Sequence, residues 1–257
     1  MSTWRFVNTG SASGAVNMQF DELLAHQLAS GTGRQTVRVY RWKPWAVSLG
    51  YNQNAGDIDA TRCGRDGVEI VRRPTGGRAI LHAEELTYSV VMLAGRKGVL
   101  EMYNAISRAL VRGLSIFGVD VALQKSQPDF QSRYRDAASV PCFTSSARYE
   151  IEWKGRKLVG SAQRRYGNAG LDVVLQHGSI LCGPAHRNLA AYLATGDLAV
   201  VERVRREMTE RTVDLGEICG EPVDIDALAC AIREGFEVEW GLTFEDNLAE
   251  LSPEEHT

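Results

Sequence analysis

The run Val68-Glu69-Ile70-Val71-Arg72-Arg73-Pro74-Thr75-Gly76-Gly77-Arg78-Ala79-Ile80-Leu81-His82, with Leu86–Leu93 close behind, reads as strand, loop and strand. Val68 to Arg73 holds the β-branched residues of a short strand. Pro74 to Gly77 stops it, because proline lacks an amide donor and glycine weakens a strand. Leu86 to Leu93 is apolar and β-branched and predicts a buried strand. The two loop glycines let a backbone approach a ligand closely and expose amide N–H groups. Arg72, Arg73 and Arg78 beside them suit an anionic or carbonyl-bearing group. The loop is neither a GxxxxGK[ST] phosphate loop nor a GxGxxG dinucleotide fingerprint. A Gly-rich turn with solvated arginines is the plainer reading of the same residues.

Upstream, Asn17 is placed to cap a helix carrying Phe20, Leu23, Leu24 and Leu28, which Gly31 and Gly33 end. Val37–Tyr40 and Ala46–Leu49 predict two strands with a turn at Lys43-Pro44. Downstream, Met102 to Phe117 carries an apolar face at helical spacing. Gln124 to Val140 has no clear period and predicts an extended, functional loop. Tyr149–Trp153, Lys154-Gly155 and Lys157–Gln163 form a hairpin pattern, and Leu171–Leu181 follows as a strand. Three short helices are expected at Arg187–Leu193, Val200–Thr209 and Ile225–Trp240. The acidic tail, about 248–257, is expected to fray. No repeat or composition break divides residues 1–257, so a single domain is expected. Clustered strands with helices toward the end predict α+β rather than a doubly wound parallel sheet.

The composition narrows the function. The chain has 257 residues, 44% of them hydrophobic, which is enough for a sizeable core and excludes disorder as its main state. Its 29 Lys+Arg against 32 Asp+Glu argue against a general nucleic-acid binder. No secretory signal or transmembrane run is seen, and a cytoplasmic location is expected. Five cysteines, an odd number without CxxC spacing, argue against a disulfide framework or a zinc site, and no metal is expected.

Cys142 stands between Pro141 and Phe143, just after the long polar stretch, and is the candidate nucleophile. Cys182, five positions beyond His177, is its rival. Cys219 and Cys230 are expected to pack in helices, and Cys63 to be a bystander in a polar loop. Lys157 begins a strand that runs on through the small residues Gly160, Ser161 and Ala162 to Gln163. A lysine beside a thiol would lower its pKa, move a proton or hold an oxyanion, while a solvated hairpin lysine is the plainer alternative. His82 and His177 invite a Cys–His dyad, or are core histidines bonded to backbone.

Taken together, several segments resemble one family. They are Trp4-Arg5-Phe6, Asn17-Met18, Tyr40-Arg41-Trp42, Ser48-Leu49-Gly50-Tyr51, Gln53, Arg72–His82, Glu85-Leu86-Thr87-Tyr88-Ser89 and Cys142-Phe143. Tyr149-Glu150, Gly155-Arg156-Lys157, Gly160-Ser161-Ala162-Gln163 and Gln176-His177-Gly178-Ser179-Ile180-Leu181 continue the series in family order. The set resembles the lipoate- and octanoate-handling branch of the biotin–lipoate protein ligase superfamily, specifically the LipM-type octanoyltransferases. That resemblance implies an α+β catalytic domain, with mixed, largely antiparallel sheets flanked by helices, of the class II synthetase-like kind. It implies transfer of an octanoyl group from acyl carrier protein to a lysine of the glycine cleavage H protein or another lipoyl domain, with no cofactor. Cys142 would carry the acyl group and Lys157 would serve the acyl pocket. Arg72, Thr75, Gly76, Gly77, Arg78, His82, Gly160, Ser161, Ala162, Gln163 and His177 would bind substrate.

Thioester exchange is nearly balanced and needs no ATP, and a thiolate is a strong nucleophile near neutral pH. Arg72, Arg78, Arg164 and Arg165 are candidates to meet an acidic carrier protein. ATP-dependent lipoate–protein ligases are the main alternative. They typically carry a third loop glycine and an Asp after the His, where this chain has Arg78 and Ala83. A lipoyl-domain amidotransferase and a non-catalytic carrier-binding module are the others. A LipB-type enzyme places its cysteine after the His-Gly strand, farther on than Cys182.

Overall fold

The computed structural model describes residues 4–123, 150–168 and 171–245. In chain order the elements begin with β1 (Trp4–Ala12), α1 (Gly14–Ala29), β2 (Gln35–Trp42), β3 (Ala46–Leu49), α2 (Ala60–Arg65), β4 (Glu69–Arg72), β5 (Ile80–His82) and β6 (Glu85–Leu93). They continue with α3 (Val99–Ile116), β7 (Ala122–Leu123), β8 (Ile151–Trp153), β9 (Arg156–Asn168) and β10 (Leu171–Leu181). Helices α4 (Leu198–Arg211), α5 (Leu215–Cys219) and α6 (Ile225–Trp240) complete the described chain.

Seven strands form one sheet in the order β1-β2-β6-β10-β9-β8-β7, and three form a second in the order β4-β3-β5. The β1–β2 and β3–β4 pairs are parallel and every other strand pair is antiparallel. This is the expected mixed, largely antiparallel α+β architecture.

The large sheet is covered on both faces. On one, Tyr88, Val90 and Ile180 meet Met102, Ile106 and Leu110 of α3 and Phe236 of α6. Helices α3 and α6 cross where a Cβ on Gly235 would lie 2.3 Å from the Gly113 nitrogen, so only glycine permits that approach. On the other face, Phe20, Leu24 and Leu28 of α1 cover Val91, Val173 and Leu175. The small sheet has its own core of Val47, Leu49 and Leu81 against Leu189, Val204 and Met208. Among the described residues no helix is long and apolar enough to cross a membrane.

Several local expectations are corrected. Ser13, not Asn17, caps α1, accepting from the Val16 amide. Asn17 sits in the first turn and is fully buried, its amide donating to the Ala12 and Arg41 carbonyls. Leu23 faces outward at 39% exposure. Strands β2 and β3 flank the Lys43-Pro44 turn as expected but join different sheets. The segment Pro184–Tyr192 is a 3-10 helix, and β1, β5, β7 and α5 carried no pattern that announced them. Residues 124–140 and the tail lie outside the described residues.

Candidate active site

A cavity opens between the two sheets. Met18 of α1, Tyr40 and Trp42 of β2 and Ile80 of β5 form its apolar wall. Gly160, Ser161 and Ala162 of β9 and His177, Gly178 and Ser179 of β10 form another, with Arg73, His82 and Thr87 at its sides. Gly178 keeps this wall thin. A Cβ there would lie 2.3 Å from the Gly160 oxygen and 2.8 Å from the Tyr88 ring, whose hydroxyl crosses to Ser161 Oγ at 2.6 Å.

Two buried carboxylates stand behind the cavity. Asp21 of α1 accepts four hydrogen bonds. Arg38 Nη1 and the Ser89 hydroxyl donate to Oδ1, each at 2.8 Å. The Tyr40 hydroxyl and His177 Nδ1 donate to Oδ2, each at 3.0 Å. Burial opposes ionisation of Asp21, but the His177 hydrogen bond and the Arg38 guanidinium outweigh it and hold the carboxyl below its ordinary range. Burial, with Arg73 and His82 nearby, holds the pKa of His177 below its ordinary value against the opposing pull of Asp21, which favours the neutral ring. With Nδ1–H given to Asp21, Nε2 accepts from the Thr75 hydroxyl at 2.6 Å.

Glu85 at the start of β6 does the same for His82. Its Oε1 accepts from Thr87 (2.6 Å), Ser179 (2.7 Å) and His82 Nδ1 (2.8 Å). Burial again opposes the charge, and His82 with the two hydroxyls overcomes it, holding the carboxyl below its usual range. His82 Nε2 bonds the Ser48 hydroxyl (2.7 Å), whose oxygen accepts from Arg73 Nη1 (3.0 Å). Arg73 also donates to the Gly76 and Arg78 carbonyls at 3.0 and 2.6 Å. Trp42 stacks on His82 at 3.9 Å.

Residues 13–237 match the lipoyl protein ligase A/B catalytic domain family. The chain belongs to that family. Its curated relatives include the octanoyltransferase LipM of Kyrpidia tusciae, 41% identical over 99% of this chain and 93% of that one. The octanoyltransferase LipM of Bacillus subtilis is 35% identical, over 98% and 91%. Among solved structures, the bi-partite lipoate protein ligase of Thermoplasma acidophilum has TM-score 0.74 at 20% identity, over 96% of this chain and 87% of that one. A lipoate-protein ligase A bound with ATP has TM-score 0.74 at 22% identity, over 96% and 89%. These two share the fold.

For this lipoyl protein ligase family member, the sequence-named residues divide into three groups. His82, Gly160, Ser161, Ala162 and His177 line the cavity. Thr75, Gly76, Gly77 and Arg78 form the loop beside it but are not part of its wall. Arg72 is spent on structure, its Nη1 donating to the carbonyls of Gly50, Tyr51 and Gln53. Gln163 donates to Gln176 (3.3 Å), again away from the wall. Arg164 donates to the Pro74 carbonyl and Arg165 to Asp172 and the Lys97 carbonyl.

Lys157 is 5% exposed and bonds the buried Glu150, which overturns the solvated-lysine alternative. It stands beyond the described wall of the cavity. Cys142 lies outside the described residues. Burial pushes the Cys182 thiol up to about 12, and its Sγ bonds the Ile180 carbonyl, so it is no ready nucleophile. Cys63 is buried in α2 rather than a bystander, whereas Cys219 and Cys230 are exposed rather than packed. His82 and His177 each bond a carboxylate and a hydroxyl.

The sequence reading missed Asp21. A polar pair at positions 17 and 21, on the stripe otherwise marked by Phe20, Leu24 and Leu28, was the available signal.

Proposed function

We propose that this chain moves an octanoyl group from the thioester of acyl carrier protein, through a thioester on Cys142, to a lysine amine of the glycine cleavage H protein or another lipoyl domain. What carries the reading is the apolar cavity in a chain 41% identical to a named octanoyltransferase. Met18, Tyr40, Trp42 and Ile80 give hydrocarbon and aromatic contact to an alkyl chain.

The Cys142 thiolate attacks the octanoyl carbonyl. The carbonyl–sulfur bond to the carrier breaks, and the carrier leaves as a thiolate that takes up a proton from solvent. A deprotonated substrate lysine then attacks the enzyme thioester, the amine gives up one proton to solvent, the amide forms and the Cys142 thiolate returns. Lys157 supplies positive charge to the thiolate or the oxyanion, and Glu150 holds it in place. The expected cytoplasmic location goes with this reading, as does catalysis without a cofactor.

The test is intact mass after incubation with octanoyl-acyl carrier protein without ATP. One octanoyl adduct, released by hydroxylamine and mapped to Cys142, is expected. Acylation only with free acid and ATP would replace this reading by the ligase activity named for the fold's solved neighbours. An adduct on Cys182 would keep the reaction class and move the nucleophile.

A further inference from the structure

The two buried carboxylates feed the same loop from opposite sides. From Asp21 the hydrogen bonds run through His177 to Thr75. From Glu85 they run through His82 and Ser48 to Arg73, and on to the Gly76 and Arg78 carbonyls. Each chain begins on the large sheet or the helix covering it. Each passes through a histidine of the cavity wall and ends on Thr75–Arg78. Asp21 and Glu85 offer only acceptors, so both histidines donate from Nδ1, and Nε2 of each ring bonds a hydroxyl, Thr75 for His177 and Ser48 for His82.

We infer that His82 and His177 are positioning residues that carry the anchorage of Glu85 and Asp21 to the Gly-rich loop, and so fix the loop at the edge of the cavity. Each ring's Nε2 is already engaged by a hydroxyl, at 2.6 Å to Thr75 and 2.7 Å to Ser48, so neither presents a bare nitrogen to the cavity. The same loop is tied to the small sheet by the Tyr51 amide, which donates to the Thr75 carbonyl at 2.9 Å. That amide reports whether the loop is held.

Thr75→Val removes the hydroxyl and keeps the shape, and Thr75→Ser restores the hydroxyl. In Thr75→Val the Tyr51 amide should exchange with solvent about tenfold faster or more, while Thr75→Ser stays near the parent. Octanoyl loading should lose about tenfold or more in kcat in the Val variant, with the limbs of its pH profile unmoved. Ser48→Ala cuts the hydroxyl link between His82 and Arg73 but leaves Arg73 on the Ser48 carbonyl at 3.0 Å, so it should shift both readouts the same way by less. Parental exchange and kcat in Thr75→Val would overturn the inference. So would equal damage in Thr75→Ser, or a displaced pH limb, which would make His177 a proton carrier. The kcat arm rests on the octanoyl-transfer reading and the exchange arm does not. A parent that loads no octanoyl group would therefore sink that reading while leaving the anchorage tested.

Discussion

His186 shows how burial turns one ring into a pH-dependent contribution to stability. It is 2% exposed, its Nδ1 donates to the Gly183 carbonyl at 3.1 Å, and Nε2 lies 2.8 Å from the Thr212 hydroxyl. Burial depresses its pKa to about 4. Between pH 4 and 6.5 the unfolded chain binds a proton that the folded chain refuses. The stabilisation is therefore full above pH 6.5 and is lost as pH falls through about 4. The loss is about 3 kcal/mol. Denaturant titrations across that range should show the slope, and His186→Asn should flatten it; an unchanged slope would remove the assignment. The cysteines give a second prediction. A thiol reagent mapped by mass should label Cys219 and Cys230 quickly in the native protein and Cys63 and Cys182 only on unfolding. Cys182→Ala should cost about 1 kcal/mol and leave octanoyl transfer intact, and its loss would restore Cys182 as the nucleophile.

Among the elements, the helix pair α3–α6 depends most on small residues. Gly235→Ala places a methyl 2.3 Å from the Gly113 nitrogen and 2.7 Å from the Ala109 oxygen, both backbone atoms that cannot step aside. The helices must separate, at a cost of about 1–3 kcal/mol. A chemical-denaturation midpoint equal to the parent's would show that the crossing has slack. Most elements were legible in the sequence. The apolar stripe of α3, the β9–β10 pair and the strand at β6 each carry a period that survives without knowing their partners. Strands β1, β5 and β7 were not legible. β5 and β7 are too short for a period, and β1 lies at the edge of the large sheet, where its burial alternates weakly. The 3-10 segment at Pro184–Tyr192 overlaps the helix expected at Arg187–Leu193, because its apolar spacing resembles one.

For the whole molecule, the expectation is that acyl transfer and fold separate cleanly at Cys142. Cys142→Ala should abolish the octanoyl adduct and transfer while the thermal midpoint stays within a few degrees of the parent; full transfer in that variant would discard the cysteine mechanism. Lys157→Ala should slow loading. It should also lower stability, because it leaves the buried Glu150 carboxylate without the ammonium that it faces. An unchanged loading rate would make Lys157 a structural residue.

The sequence by itself determined the α+β class, the Gly-rich loop, the hairpin carrying Lys157 and the family, because these reside in local periodicity and in an ordered series of short motifs. Tertiary structure alone decided which residues face the cavity. Arg72 turned to backbone carbonyls, while Met18 of α1 and Tyr40 and Trp42 of β2 became its wall. Only the fold could bring Asp21 to His177, since they are 156 positions apart. A carboxylate on a helix looks solvated until the sheet beneath it buries it and supplies Arg38, Tyr40, Ser89 and His177 as four donors to its two oxygens.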